Sequence, residues 1–443
     1  MSKKISVYYL FLSVFLWVCI TVLFGWSVRH VFMGNTRLGA FGEAMVAVAE
    51  FPSLAKEVLG IIKDGSGLLV ISDRYPSIDG FSKNGKTQVG ALDDKGYLLL
   101  SSYSNMKRQS TVELIRIADN QLLKEWTPDI DAILSITQSK IQKSSAQIHH
   151  PLLVENGCLV FNDINSLIKI GPSDTTEWIA EGIYNHSVER DADGNIWACS
   201  VMKPSAYEGV LTFSDNAIAK ISPTGKVLFK KSVAKILEEN DYRGLLSIGF
   251  RLQNQGDPIH LNDIQPALTD SKYWKKGDLM LSMRHLSTIA LYRPSTNKII
   301  WLKTGPWMNQ HDVEFVSDHE ISVFGNNVID DVKKGRVLLD GHNTVYLYDF
   351  TADTVSSPYD KAMATFAVST TTNGRSKLLS NGDVFIDESD NGRLLRLTPT
   401  TAKWEFVRRV DKSHISHSSW SRYLTEDEVR HIFPSLQSSS RQL

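Results

Sequence analysis

"NHSVERDADGNIWACS", residues 185–200, holds the pattern that decides the fold. A polar residue, His186, opens a short run. A turn of the Asp-Gly kind follows at Asp193–Gly194, and an apolar run, Ile196–Ser200, comes after it. Two short runs about such a turn read as a β-hairpin. The same pattern returns in "HHPLLVENGCLVF" (149–161), where His149 stands eight residues before Gly157, as His186 does before Gly194. In "QHDVEFVSDHEISVF" (310–324) His311 stands eight before His319, which takes the turn-glycine place. "HLNDIQPALTDSKYWKKGDLMLS" (260–282) sets His260 seventeen before Gly277, as if nine residues were inserted in the turn. Two outer copies lack the histidine: "QVGALDDKGYLLLS" has Gln88 and "GRSKLLSNGDVFID" has Gly374.

The turn anchors are then Gly96, Gly157, Gly194, Gly277, His319 and Gly382, and each is followed by a second hairpin-like stretch such as "TIALYRPSTNKIIWLK" (288–303). Repeats of roughly 40–50 residues around a channel are propeller blades. Wider gaps need insertions, and "KKSVAKILEENDYRGLL" (230–246) reads as a helical one. The expected fold is all-β, a six-bladed β-propeller preceded by an N-terminal transmembrane helix. A β-sandwich is the alternative, and it leaves six copies of one motif unexplained.

With 443 residues, 42% hydrophobic, 22% charged and a net charge of -1, the chain has the composition of a globular protein. Near-neutral charge argues against nucleic acid as a partner. Residues Ile5–Val28 carry no charge, and a stretch of about 24 residues spans a bilayer core of roughly 30 Å. A cleaved signal peptide would have a shorter apolar region and a small-residue site, so an uncleaved anchor is expected. Lys3 and Lys4 favour a cytoplasmic N-terminus, against Arg29 and Arg37 on the far side. The expected division is residues 1–30 for the cytoplasmic end and anchor, 31–65 for a helical stalk interrupted near Pro52, 66–412 for the propeller and 413–443 for a C-terminal extension. In that extension Thr425 reads as a helix N-cap and residues 435–443 as disordered. Cys158 and Cys199, in apolar strands of neighbouring repeats, form either a disulfide or two buried thiols.

Equivalent positions in a closed ring face one axis, so His149, His186, His260 and His311 would converge. Arg284, seven residues after Gly277, is matched in the other copies by Tyr103, Ile164, Val201, Asn326 and Ser389. Repeat architecture therefore does not demand it. Strand alternation puts it on a face with Met280 and Ser282. Imidazoles can bind a metal, but a fixed cation disfavours a dication and no HExxH pair is present. The alternative is an anionic tetrahedral group held by the guanidinium fork, with one neutral histidine as nucleophile and another as acid or base. No phosphate loop or dinucleotide fingerprint occurs, and "PSTNKIIW" (294–301) is a weak likeness to quinoprotein repeats. No cofactor is expected.

The segments "NHSVERDADGNIW" (185–197), "HLNDIQPAL" (260–268), "GDLMLSMRHLSTIALYRPSTNKIIWLKTG" (277–305) and "QHDVEFVSDHEISVFGNN" (310–327) resemble the arylsulfate sulfotransferases that do not use phosphoadenylyl sulfate. The resemblance covers roughly residues 85–410. It implies a six-bladed propeller with its site in the channel. It also implies sulfuryl transfer from an aryl sulfate to a phenol, by a ping-pong route through a sulfated histidine. By motif, His311 would be the nucleophile, and Arg284 and His186 would hold the sulfuryl oxygens. His260 would be the acid/base and Asn262 would orient it, with His149 as further support. The chain departs from the family after the last histidine, where "SDHEISVFGNN" (317–327) replaces the usual Asn-Gly-Asn and Asp-Asn-Gly tracts. Two other classes remain beside this one: a non-catalytic propeller that binds a ligand or partner, and a histidine-metal hydrolase on the same scaffold.

Overall fold

The computed structural model describes residues 7–32, 37–64, 70–72, 74–75, 78–83, 86–87, 91–139, 141–163, 165–249, 256–331 and 335–433. Lys3, Lys4, Gln88, Ile164 and the tail 435–443 lie outside them. The chain divides into two compact units, Met1–Gly67 and Leu68–Leu443.

In the first unit, helix α1 (Val7–Phe32) is apolar and solvent-exposed along most of its length. Its stretch Val7–Val31 is long and apolar enough to cross a membrane. Helix α2 (Gly39–Asp64) continues through Pro52 rather than stopping there.

The second unit is a ring of six antiparallel sheets. Blade 2 runs from His149–Val154 through Cys158–Asp163 and Ser166–Ile170 to Thr176–Ala180. Blade 3 comprises Ile183–Arg190, Ile196–Val201, Asn216–Ile221 and Val227–Ser232. Blade 4 comprises Leu261–Pro266, Leu279–Met283, Thr288–Arg293 and Lys298–Thr304. Blade 5 comprises Val313–Phe315, Glu320–Gly325, Thr344–Asp349 and Thr354–Ser356, with a hairpin, Val328–Asp331 and Gly335–Leu338, inserted after its second strand. Blade 6 comprises Arg375–Leu378, Val384–Glu388, Arg393–Leu397 and Ala402–Val407, extended outward by Gly80–Lys83 and Lys86–Thr87. The six expected anchors all stand one or two residues before the second strand of a blade. The insertion after blade 3 forms helices Val233–Glu239 and Arg243–Gly249.

Blade 1 corrects the expected organisation. Its outer strands are Tyr97–Ser104, Gln109–Arg116 and Gln121–Trp126, but its inner strand is Arg422–Leu424. The segment beyond residue 412 is thus no mere extension, because it closes the ring. Gly96 shows how tightly: a Cβ there would stand 2.2 Å from the Tyr423 ring. The helix after the closing strand, Glu426–Ile432, starts at Thr425 with a full capping box to Glu428. Cys158 and Cys199 are both free and buried, so the disulfide alternative falls.

Buried apolar clusters fill the spaces between neighbouring blades. One joins Leu152, Val160 and Leu167 of blade 2 to Tyr184, Val188 and Ala198 of blade 3. The inner strands are also tied to one another by side chains. The amide N–H of Ile264 donates to Ser187 Oγ (2.9 Å), that of Val313 to Asp263 Oδ2 (2.9 Å), and that of Ser376 to Asp312 Oδ2 (3.1 Å). This ladder fixes the register between blades 3, 4, 5 and 6.

Candidate functional site

The residues just before Ser187, Asp263 and Asp312 occupy one ring of positions, namely His186, Asn262 and His311. Strand pairing extends the ring. Val188 pairs with Ala198, and His186 lies two residues before it. The matching pairs Leu152–Val160, Arg422–Leu99 and Ser376–Ile386 place His150, Trp420 and Gly374 in the same ring. Two expectations change. His150, not His149, is the counterpart of His186, because Gly157 stands one residue closer to its strand partner than Gly194 does. In blade 4 the ring position belongs to Asn262, and His260 enters from two residues upstream.

Bulges re-aim these side chains. Pairing slips between His149 and Leu152, between Asn185 and Val188, and between Leu261 and Asp263. His150, His186, His260 and Trp420 adopt left-handed backbone, with φ of 49°, 54°, 51° and 55°. A bulge breaks the two-residue alternation and can turn a side chain out of the sheet. Non-glycine residues held at positive φ carry strain and cluster at functional sites. Blade 6 has no histidine for a packing reason. Gly374 has φ 121°, and a Cβ there would stand 2.4 Å from Phe324.

The rings form one connected group. Centroid separations are 4.7 Å for His186–His260, 4.5 Å for His260–His285, 6.0 Å for both His186–Trp420 and His311–Trp420, and 5.4 Å for His149–Trp420. All four histidines expected to converge therefore reach this group. Trp420, His285 and Asp257 were not expected, nor was the contact of Asn326 with His311. Trp420 was invisible because its strand comes from the far end of the chain. Asp257 left a signal, since it precedes His260 by three residues in "DPIH".

His311 is 1% exposed. Its Nδ1 lies 2.6 Å from Asn326 Oδ1. The Asn326 amide nitrogen donates to the carbonyls of Thr370 (2.9 Å) and Asn373 (2.8 Å), so Oδ1 must face the imidazole. That assigns the proton to Nδ1. Nε2 keeps a lone pair and has no partner. Burial, then the charge of Arg284, lowers the His311 pKa from 6.5 to about 3, so the ring is neutral near pH 7.

Arg284 is 3% exposed. It opens a short 3-10 turn after its strand, so strand alternation does not govern its direction. Nη1 donates to His285 Nε2 (2.8 Å), and His285 Nδ1–H donates to the Asp257 carbonyl (2.6 Å). Nε and Nη2 are buried without partners. Such donors on a desolvated cation call for an anion. Burial also lowers the Arg284 pKa, to about 10, which leaves it charged at neutral pH.

His260 Nδ1 is 2.5 Å from Asp257 Oδ2, and its side chain is 23% exposed. A carboxylate on Nδ1 orients the ring and leaves Nε2 for another partner. Burial works against ionising Asp257, but the hydrogen bonds from His260 and the nearby charges of His260 and His285 together outweigh it and hold the carboxyl below its usual range. Asp257, His260 and His285 are close enough to suggest a cation site. Both His285 nitrogens are already engaged, however, one of them by the Arg284 guanidinium, which opposes a dication there.

On the other side of the ring, charged side chains of the inner strands pair with one another. Arg375 contacts Glu314 (2.9 Å), Glu189 (3.4 Å) and Asp312 (3.6 Å), and Arg422 contacts Glu189 (3.0 Å). His150 turns this way, its Nδ1 3.3 Å from Arg422 Nη2. Glu189, Glu314, Arg375 and Arg422, with Arg190, Lys377 and Glu428, also line a cavity of about 500 Å3 toward the opposite ends of the inner strands.

A family model described as arylsulfotransferase matches residues 160–407. The chain belongs to the arylsulfotransferase family. The match takes in His186, His260, Asn262, Arg284 and His311 and ends before Trp420. Membership supports sulfotransferase activity in general. No curated protein matches the chain. Similar solved structures include a protein of unknown function from Bacteroides caccae, with 10% identity and a TM-score of 0.44 over 75% of this chain and 100% of that one. Another is the hydrazine synthase of Kuenenia stuttgartiensis, with 9% identity and a TM-score of 0.40 over 72% and 80%. Virginiamycin B lyase from Staphylococcus aureus has 12% identity and a TM-score of 0.35 over 70% and 84%. Nothing about function is drawn from likeness at this level.

Proposed function

We propose that this arylsulfotransferase-family protein moves a sulfuryl group from an aryl sulfate to a phenol by a ping-pong route through His311. The observation that carries the proposal is the pairing of an unpartnered, neutral Nε2 on His311 with an unpartnered buried fork on Arg284. In the first half-reaction Nε2 attacks sulfur. The N–S bond forms, the S–O bond to the aryl group breaks, and the departing phenolate takes a proton from His260. The ring of His311 becomes cationic and keeps its Nδ1–H on Asn326. In the second half-reaction His260 accepts the proton of the incoming phenol, whose oxygen attacks sulfur and returns the lone pair to Nε2. Arg284 and His186 hold the sulfuryl oxygens, Asn262 supports His260, and His149 backs Trp420. We assign α1 as an uncleaved anchor, with its N-terminus cytoplasmic and the propeller outside the cytoplasm.

The test uses the full chain with an aryl sulfate and no acceptor. About one equivalent of phenol is released in a burst, and the intact mass gains one sulfuryl group that a phenol then removes. The same spectrum shows α1 retained in the mature chain. A missing burst across a range of donors, or an adduct mapped to another histidine, would sink the assignment.

Asp257 offers a separate expectation. Asp257→Asn removes the carboxylate that holds His260 Nδ1 at 2.5 Å, and the first half-reaction slows by about 10²-fold. Stopped-flow measurement of the burst reads the effect, and an unchanged rate would remove Asp257 from the proton-transfer pair.

A further inference from the structure

Asp390 lies in blade 6, beyond the groups assigned above. Its carboxylate collects five donors from three consecutive residues. Oδ2 accepts from the Thr371 N–H (2.7 Å), the Thr371 hydroxyl (3.1 Å) and the Thr372 N–H (2.9 Å). Oδ1 accepts from the Thr372 hydroxyl (2.6 Å) and from Asn373 Nδ2 (3.2 Å). His417 Nε2 stands 3.7 Å away. This loop carries the carbonyls of Thr370 and Asn373, the two acceptors that take both amide protons of Asn326. Asn343 braces the arrangement by donating to the Asn326 and Thr370 carbonyls, 2.9 Å each.

An asparagine presents its oxygen or its nitrogen to a neighbour according to which flip its other contacts satisfy. With two carbonyls on one side of Asn326, only Oδ1 can face His311. If the loop moves, the amide can flip and offer an N–H to Nδ1. Then Nδ1 becomes the acceptor and the proton moves to Nε2, the atom that must attack sulfur.

We propose that Asp390 is a positioning residue that sets the tautomer of His311, acting through the Thr371–Asn373 loop and Asn326. The inference rests on His311 being the nucleophile only for its kinetic consequence. The tautomer itself is observable without turnover. Asp390→Asn keeps the size of the side chain and replaces one accepting oxygen by a donor, which cannot serve the Thr371 and Thr372 groups. Outer-sphere partners of this kind are worth about 10–100-fold when lost from metal-bound histidines, and a similar loss is expected here.

The experiment labels the full chain with ¹⁵N-histidine and assigns the His311 signals by their loss in His311→Asn. In the unaltered protein the Nδ1 shift is that of a protonated nitrogen and the Nε2 shift that of a bare one. In Asp390→Asn the two shifts move toward each other or exchange. The burst rate falls about 10–100-fold with the donor KM little changed, and Asp390→Glu recovers part of it. Thr372→Val, a milder change to the same loop, gives a smaller shift in the same direction should Asp390→Asn fold poorly. An unaltered tautomer in folded Asp390→Asn would overturn the proposal. If the unaltered protein shows Nδ1–H but forms no adduct, the functional reading fails while the positioning role stands.

Discussion

On the proposed ping-pong route, His311→Ala is expected to leave no detectable phenol burst and no sulfuryl adduct, and to lower steady-state turnover by at least about 10⁴-fold. The size of the effect follows from covalent catalysis. In a ping-pong route the nucleophile opens the only path between donor and acceptor, and the remaining groups can bind the sulfuryl oxygens but cannot receive sulfur. A stabilising residue would behave differently, leaving the adduct in place and slowing its formation. The same variant has a signature in stability. Folding lowers the His311 pKa from 6.5 to about 3. Between those values the unfolded chain binds a proton that the folded chain does not, so His311 opposes folding as the pH drops below 6.5. His311→Ala therefore loses less stability between pH 7 and pH 5 than the unaltered chain, as read from urea midpoints at the two pH values. Equal slopes would mean that the imidazole titrates normally and is not held neutral. Adduct formation in the unaltered chain, by the same shift, loses no nucleophile to protonation anywhere from pH 5 to pH 8.

The blade count was legible because each turn anchor sits where a tight turn must precede an apolar strand. The site was legible where the count from turn to histidine matched strand register, as at His186 and His311. It failed by one residue at His149, where the turn is shorter, and by two at His260, where Asn262 holds the ring position and the insertion lies further along. Arg284 stood out because no repeat required it. What stayed hidden depended on contacts between distant segments. Trp420 and Arg422 complete a blade whose other strands lie some three hundred residues earlier. Asn326 was visible only as the repeat counterpart of Arg284, and its meeting with His311 needs a fold around it. The left-handed backbone at three ring residues and at His260 has no trace in composition, because histidine and tryptophan are not the residues that usually mark it.

Asp94→Ala is expected to destabilise the propeller strongly, by roughly 3–5 kcal/mol. Asp94 is 4% exposed. Oδ1 accepts from the Gly96 N–H (2.8 Å) and the Tyr423 hydroxyl (2.8 Å), and Oδ2 from Arg396 Nη1 (2.6 Å) and Trp404 Nε1 (2.7 Å). Those partners come from three places: the start of blade 1, the outer strands of blade 6, and the C-terminal strand that closes the ring. Alanine takes the Asp94 acceptor from four donors, one of them on a guanidinium that still keeps Asp383 at 2.7 Å. Unpaired buried polar groups cost more than the bonds were worth, because water cannot reach them. The damage would not stay local, since the closing strand also carries Tyr423 against Gly96 and stands two residues from Trp420 in the site. Tyr423→Phe removes one of the four bonds and is expected to cost about 1–2 kcal/mol. Denaturant unfolding of the two variants gives the comparison. If Asp94→Ala unfolded within about 1 kcal/mol of the unaltered chain, the ring would be held shut by its apolar seams alone, and the carboxylate would be a passenger.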